Sequence, residues 1–149
     1  MMKKVKVYIV LFLIGCFSFG GMYYVSATKE RAKATVKKEE VNLNFTTVPT
    51  QLYQELLTAE DQAVLIDVRI SGELVSGKLK DAINIDVTSG SFETELVKLD
   101  KTRPYFVYSA IGDRGERAMN IMKKLGFSEV YNLSGGIREW KLEGEEVVK

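Results

Sequence analysis

The sequence predicts an α/β fold in which a mostly parallel central sheet carries helices on both faces. From residue 44 onward, short runs of strand-forming residues alternate with stretches of helical periodicity. The nearly continuous apolar run at residues 63–68 is typical of a parallel strand buried on both faces. In residues 91–99, Phe92, Leu96 and Leu99 fall on one face of a helix. Alternating strands and helices of this kind favour parallel strand–helix–strand units.

The first predicted elements lie between residues 45 and 68. Residues 45–48 predict a short edge strand, since Pro49 cannot donate to a sheet ladder. Thr50 is then predicted to cap a helix over residues 51–57. Residues 63–68 form the first buried strand of the prediction.

The middle of the chain predicts a helical turn, a strand and a helix. Residues 72–75 are assigned to the turn, 82–85 to the strand and 91–99 to the helix. This order continues the alternation on which the fold class rests.

The last elements include the predicted central strand at residues 105–108. A helix over residues 114–125 follows and ends at Gly126, a residue type favoured just beyond helix C-termini. The last long strand is predicted at residues 129–133 and a short helix at 137–141.

Composition excludes several classes of chemistry. The chain has 149 residues, the length of one ordinary domain with an appendage, and a net charge of +1, which implies no nucleic-acid partner. It has no His, which excludes His-activated nucleophiles and His-ligated metals. Its single cysteine is Cys16, so neither an intrachain disulfide nor a thiol within residues 44–149 exists. We therefore predict no metal and no cofactor.

Residues 1–27 are predicted to be an export signal or a membrane anchor. Lys3, Lys4 and Lys6 precede residues 7–27, which carry no charge. Three alternatives stay open: an uncleaved anchor long enough to span a bilayer, a secretory signal with small residues near Ala27, and a lipoprotein signal with Cys16 as the lipidated residue. Each directs the protein to the membrane or across it, and we expect the domain on the extracytoplasmic side.

The remaining organisation is a linker and one domain. Residues 28–43 are rich in Lys, Glu and Ala and lack an apolar stripe, so they predict a polar linker. Residues 44–149 contain every predicted strand and form the predicted domain.

The candidate site is the loop that follows the predicted central strand. It consists of Ser109, Ala110, Ile111, Gly112, Asp113 and Arg114. A strand, a glycine-containing loop and a helix start place backbone N–H groups around a pocket that suits an anion. Sulfate, thiosulfate or phosphate are candidate ligands, favoured by Arg114 and opposed by Asp113. The alternative is that Ser109 only caps local N–H groups.

Several motifs in a fixed order resemble the rhodanese family. They are Leu65-Ile66-Asp67-Val68-Arg69 with Glu73, Gly77, Ala82-Ile83-Asn84-Ile85, the Ser109–Arg114 loop, Leu125-Gly126-Phe127, and Asn132-Leu133-Ser134-Gly135-Gly136-Ile137 with Trp140. The resemblance implies a rhodanese-like fold and sulfurtransferase activity, carried by a persulfide on a Cys where this chain has Ser109. A serine hydroxyl cannot hold a transferable sulfur. Gly115 stands where the family often has Ser or Thr, so a loop-bracing hydroxyl is also absent.

The other family residues are interpreted as structural. Asp67 is expected to accept N–H bonds, and Arg69 to form an ion pair with Glu73 across a turn. Gly135-Gly136 are expected to adopt a backbone conformation closed to other residues, and Trp140 to fill the core.

Three functions compete. The preferred one is an inactive rhodanese homologue that binds a protein partner or a small anion. The second is a sulfurtransferase, by family resemblance, and the third is an enzyme with an oxygen nucleophile.

Overall fold

The sheet is built from five short parallel strands. A computed structural model of the chain describes residues 44–149; the predicted N-terminal signal or anchor (1–27) and the whole of the predicted linker (28–43) lie outside the described residues. The strands are β1 Phe45–Val48, β2 Val64–Asp67, β3 Ile83–Asn84, β4 Pro104–Tyr108 and β5 Glu129–Leu133. Their order is β1-β5-β4-β2-β3, and every pairing is parallel. The prediction of β4 as the central strand, with β1 at an edge, is confirmed.

Within residues 44–149, four α-helices and one 3₁₀ helix accompany these strands. They are α1 Thr50–Ala59, the 3₁₀ helix Ser71–Ser76, α2 Phe92–Leu96, α3 Asp113–Lys124 and α4 Gly136–Leu142. Gly126, at φ +84°, follows the end of α3, as the sequence predicts. Helix α2 is shorter than its predicted span of 91–99.

Two apolar clusters cover the two faces of the sheet, because alternate side chains of a strand point to opposite sides. One cluster contains Ile66, Val107 and Val130 with residues of α2 and α3. The other contains Leu65, Phe106 and Tyr131 with residues of α1 and α4, including Trp140, which is buried as expected. Helices on both faces are therefore confirmed, and the carboxyl ends of the strands form one edge of this layered core.

Two local predictions are wrong. Helix α1 begins at Thr50 itself, after Pro49, and the Thr50 hydroxyl is buried without a hydrogen-bond partner among the described residues. Arg69 does not form its ion pair with Glu73. Its guanidinium instead pairs with Asp67, at 2.6 Å between Nη2 and Oδ2, while Glu73 pairs with Arg114. A proline before the helix supplies no capping side chain, and the nearer carboxylate for Arg69 lies in the buried strand β2.

Candidate functional site

The candidate loop leaves the carboxyl end of β4 and enters α3 within a few residues. Ser109 is fully buried, and its Oγ accepts the backbone N–H of Gly112 at 2.9 Å. Asp113 Oδ1 lies 3.4 Å from the same hydroxyl, longer than an ordinary O–H···O hydrogen bond. The hydroxyl is therefore turned inward to hold the loop, as expected if Ser109 caps a local N–H group.

Gly112 is required by the shape of this turn. Its φ is +97°, a region that residues with a Cβ rarely adopt. A Cβ at this position would also lie 3.1 Å from the backbone N of Gly135 and 3.2 Å from the backbone O of Leu133. The loop is therefore pressed against the end of β5 by backbone packing.

Helix α4 holds the first half of the loop from the other side. The N–H groups of Ile137 and Arg138 donate to the backbone oxygens of Ser109 and Ala110, at 2.9 and 3.1 Å. This close approach needs Gly136, since a Cβ there would overlap the backbone oxygen of Ser109. Gly135 and Gly136 both have positive φ, which confirms the predicted role of this pair.

The loop presents N–H groups and one apolar side chain outward. Within residues 44–149, no acceptor is positioned for the backbone N–H groups of Ala110, Ile111 and Asp113. The Ile111 side chain is 55% exposed, and Asp113 is exposed as well. Free N–H groups at the start of a twelve-residue helix attract an anion, and the Asp113 carboxylate opposes one.

Arg114 forms an ion pair with Glu73 of the 3₁₀ helix. Its guanidinium donates to both carboxylate oxygens of Glu73, at 2.7 and 2.9 Å. These hydrogen bonds lower the pKa of Glu73 and raise the pKa of Arg114. Arg114 thus ties α3 to the 3₁₀ helix, and its pull on an anion is largely offset by Glu73.

A buried polar network lies beside the loop. Asp67 accepts hydrogen bonds from the backbone N–H and the guanidinium of Arg69, and from the Tyr108 hydroxyl at 2.8 Å. Arg69 also donates to the Gly77 oxygen, and the Leu79 N–H donates to Tyr108. The expectation that Asp67 accepts N–H bonds is confirmed.

This network shifts the pKa of both neighbours of Asp67. Burial, then the charge of Asp67 and the hydrogen bond to it, raise the pKa of Tyr108. Burial alone would lower the pKa of Arg69, but the hydrogen bond and charge of Asp67 outweigh that effect, and the net shift is upward. Both shifts favour the protonated forms, in which Tyr108 and Arg69 donate to Asp67.

Sequence reasoning assigned no role to two residues that contact the loop or its network. Asn132 donates through Nδ2 to the Gly112 oxygen at 3.1 Å, and Tyr108 anchors Asp67 through its hydroxyl. Alternation along β5 and β4 could have placed both side chains on a sheet face, but no sequence signal specifies their partners.

Among residues 44–149, no three carboxylate, histidine or cysteine groups lie close enough together to hold a metal ion. Over the same range, no helix combines the length and apolarity that crossing a membrane requires.

The fold and the loop together define an α/β domain with a glycine-containing loop at the carboxyl end of its central strand. Residues 48–143 match the rhodanese-like domain family. This chain therefore belongs to that family, and the predicted rhodanese-like fold is confirmed.

Relatives in the family carry different names. The chain is 32% identical over 87 residues to the uncharacterized protein YqhL of Bacillus subtilis (strain 168), covering 58% of this chain and 68% of that protein. It is 30% identical over 97 residues to a thiosulfate sulfurtransferase of Pseudomonas savastanoi, covering 65% and 88%. It is also 32% identical to a tRNA uridine(34) hydroxylase of Pelagibacter ubique, covering 72% of this chain but only 38% of that protein.

Solved structures share the fold. A rhodanese-related protein from Thermoplasma volcanium superposes with a TM-score of 0.60 at 27% identity, over 70% of this chain and 98% of that one. The polysulfide-sulfur transferase homodimer of Wolinella succinogenes gives the same TM-score and identity, over 82% and 87%.

Proposed function

We propose that this chain is a rhodanese-like binding module without sulfurtransferase activity, held at the membrane or exported across it. The observation that carries the proposal is the state of Ser109, which stands where the family resemblance expects the persulfide-carrying cysteine. Its hydroxyl is fully buried and already accepts the Gly112 N–H. A serine oxygen is neither acidic nor polarisable enough to accept and release a sulfane sulfur.

An oxygen-nucleophile enzyme has little support. Such chemistry needs a base within hydrogen-bond reach of the hydroxyl, and the nearest carboxylate oxygen, on Asp113, is 3.4 Å away. The chain has no His to serve in its place.

The proposed ligand is a small oxyanion such as sulfate, thiosulfate or phosphate, with a protein partner as the alternative. Backbone N–H groups of the loop support the oxyanion, whereas the pairing of Arg114 with Glu73 and the exposed Asp113 keep its binding weak. Exposed Ile111 supports contact with a protein partner.

The first test measures sulfur transfer from thiosulfate to cyanide, a reaction that yields sulfite and thiocyanate. The full-length chain should form thiocyanate no faster than a no-protein control, and Ser109→Ala should behave identically. Turnover that is well above the control, and is lost in Ser109→Ala, would refute the proposal. It would support the second candidate, a sulfurtransferase, which the names of relatives at about 30% identity favour.

The second test concerns the anion. Millimolar sulfate should raise the melting temperature slightly above that in chloride at equal ionic strength, because a ligand that binds only the folded state stabilises it. An unchanged melting temperature would remove the oxyanion from the proposal.

Localisation is tested by the mature N-terminus. Mass spectrometry of protein recovered from a bacterial host separates an intact start, a start at Thr28 and a diacylated Cys16. An intact start in the soluble cytosolic fraction would contradict both export and anchoring.

A further inference from the structure

Gly112 is held at both its N–H and its carbonyl. Ser109 Oγ accepts the N–H at 2.9 Å. The carbonyl oxygen accepts both Asn132 Nδ2, at 3.1 Å, and the Glu116 N–H of α3, at 3.0 Å. Asn132 is 1% exposed and lies in β5, and the same Nδ2 also donates to Thr47 Oγ1 at 3.1 Å. The turn of the loop is thus fixed from a neighbouring strand as well as from the loop itself.

The Asn132 side chain also occupies the space beside Gly115. A Cβ at Gly115 would overlap Oδ1 of Asn132 and lie 3.0 Å from its Cγ. Gly115 does not adopt a positive φ, so its backbone conformation does not require glycine. Position 115 therefore requires glycine, because the Asn132 amide fills the space that a side chain would need.

The side-chain amide of Asn132 also has one unfavourable feature. Its Oδ1 is buried and has no hydrogen-bond partner among the described residues. A buried unsatisfied acceptor is destabilising, so the two bonds donated by Nδ2 are the contacts that favour an asparagine here. Of these, the bond to Gly112 reaches the loop.

The carbonyl of Gly112 and the N–H of Asp113 belong to one planar peptide unit. In a trans peptide they point in opposite directions, so holding the carbonyl fixes the direction of the N–H. The Asp113 N–H has no acceptor within the part of the chain that the structure describes. Asn132 and the Glu116 N–H, which bind the same carbonyl, therefore turn the Asp113 N–H away from β5 and leave it free to donate.

We propose that Asn132 is a positioning residue, which replaces a bracing side chain at position 115 and aims the Asp113 N–H at an oxyanion bound in the loop. This role for Asn132 rests on the proposed function in one respect, that the loop is the anion-binding site. The inference concerns loop geometry and does not depend on whether the native chain transfers sulfur.

The first experiment is a double-mutant cycle in the full-length chain. Gly115→Ala should lower the melting temperature by about 8 °C or more, because the added Cβ and the amide cannot share one space. Combined with Asn132→Ala, the same substitution should be tolerated about 4 °C better. Equal effects of Gly115→Ala in the two backgrounds would overturn the spatial coupling.

The second experiment reports loop geometry rather than stability. In a Ser109→Cys background, iodoacetamide modification at position 109 is followed against pH by peptide mapping, which separates it from Cys16. Adding Asn132→Ala should raise the midpoint by about half a pH unit, a roughly threefold smaller thiolate population below the midpoint. Val130→Ala, in the core of the same strand, is the control and should leave the midpoint unchanged.

The outcomes separate the two proposals. A midpoint that Asn132→Ala does not move, or that Val130→Ala moves equally, would overturn the role of Asn132. If Asn132→Ala does not fold, Gly115→Ala is introduced into the Ser109→Cys background instead. Its Cβ displaces the Asn132 amide without removing it, and the alkylation midpoint at position 109 should rise in the same way. Thiocyanate formation by the unmodified chain would instead refute the lack of activity and leave these results standing.

Discussion

Replacing Ser109 by cysteine tests whether the loop still has the electrostatics of an anion cradle. The new sulfur would take the place of an Oγ that accepts the Gly112 N–H at 2.9 Å. Position 109 also lies four residues before Asp113, the first residue of the twelve-residue helix α3. Both features stabilise a thiolate over a thiol. The expected result is therefore a thiol more acidic than a free cysteine.

The magnitude follows from four opposing effects. A hydrogen bond to a charged rather than a neutral acceptor adds about 1 kcal/mol, and a helix N-terminus adds about 0.5–1 kcal/mol. Burial of the thiolate and the nearby Asp113 carboxylate, 3.4 Å from Oγ, act against them. Since one pH unit corresponds to about 1.4 kcal/mol, we expect the titration midpoint to fall by about one unit or less.

The assay is the pH dependence of alkylation at position 109. A midpoint one unit lower raises the thiolate fraction near pH 7 by about eightfold, but reduced nucleophilicity removes about threefold of that gain. The midpoint, rather than the rate at one pH, is therefore the diagnostic quantity. Ser128→Cys, at an exposed serine, supplies the reference thiol. A midpoint at position 109 equal to or above that reference would refute the reasoning.

Three further predictions concern the supports of the loop. Hydrogen bonds from Arg114 lower the pKa of Glu73 below its ordinary value, so the pair stabilises the fold above about pH 4.5 and loses that contribution as pH falls through the lowered pKa. Acid titration of unfolding should show this loss, at most about 1 kcal/mol for a partly exposed pair, and Glu73→Gln should remove it; an unchanged acid profile would contradict the pairing. Gly136→Ala should destabilise by about 3 kcal/mol or more in denaturant unfolding, since its Cβ would lie 2.7 Å from a loop backbone N at a φ of +59°. Gly72→Ala, which meets nothing within 4 Å, is the matched control, and equal effects would contradict the close approach. Tyr108→Phe should lower the free energy of unfolding by about 1–3 kcal/mol, because a buried N–H and a buried carboxylate each lose a partner; a neutral result would show that the network does not depend on this hydroxyl.

Several parts of the fold could be predicted from the sequence because the sequence signals that specify them are local. The β5 strand was predicted with its observed bounds, since its apolar and β-branched run is bracketed by a glycine-containing turn and a Gly-Gly pair. The loop between β4 and α3 was likewise predicted in place, and the positive φ of Gly135 and Gly136 follows from residue type. These features depend on neighbours in sequence.

The errors concern polar side chains that have several possible partners. Arg69 had two carboxylates within a few residues. It pairs with Asp67, whose buried carboxylate also accepts the Tyr108 hydroxyl of β4, while Glu73 pairs with Arg114. Thr50 carried a capping signal, but the preceding proline and burial of its hydroxyl decide the helix start. Short polar side chains offer several partners, and tertiary contacts select one.

The sequence by itself determined the chemistry that the loop lacks: the domain has no thiol and no imidazole, and Ser109 stands where the family resemblance implies the nucleophile. Residue identity alone decides that question, because no arrangement of the remaining groups supplies a sulfur carrier. The tertiary structure decided how the loop is held. Only the folded sheet brings Asn132 of β5 against Gly112 and Gly115, and Glu73 against Arg114. Those contacts join residues 17 to 41 positions apart, a separation that no sequence periodicity encodes.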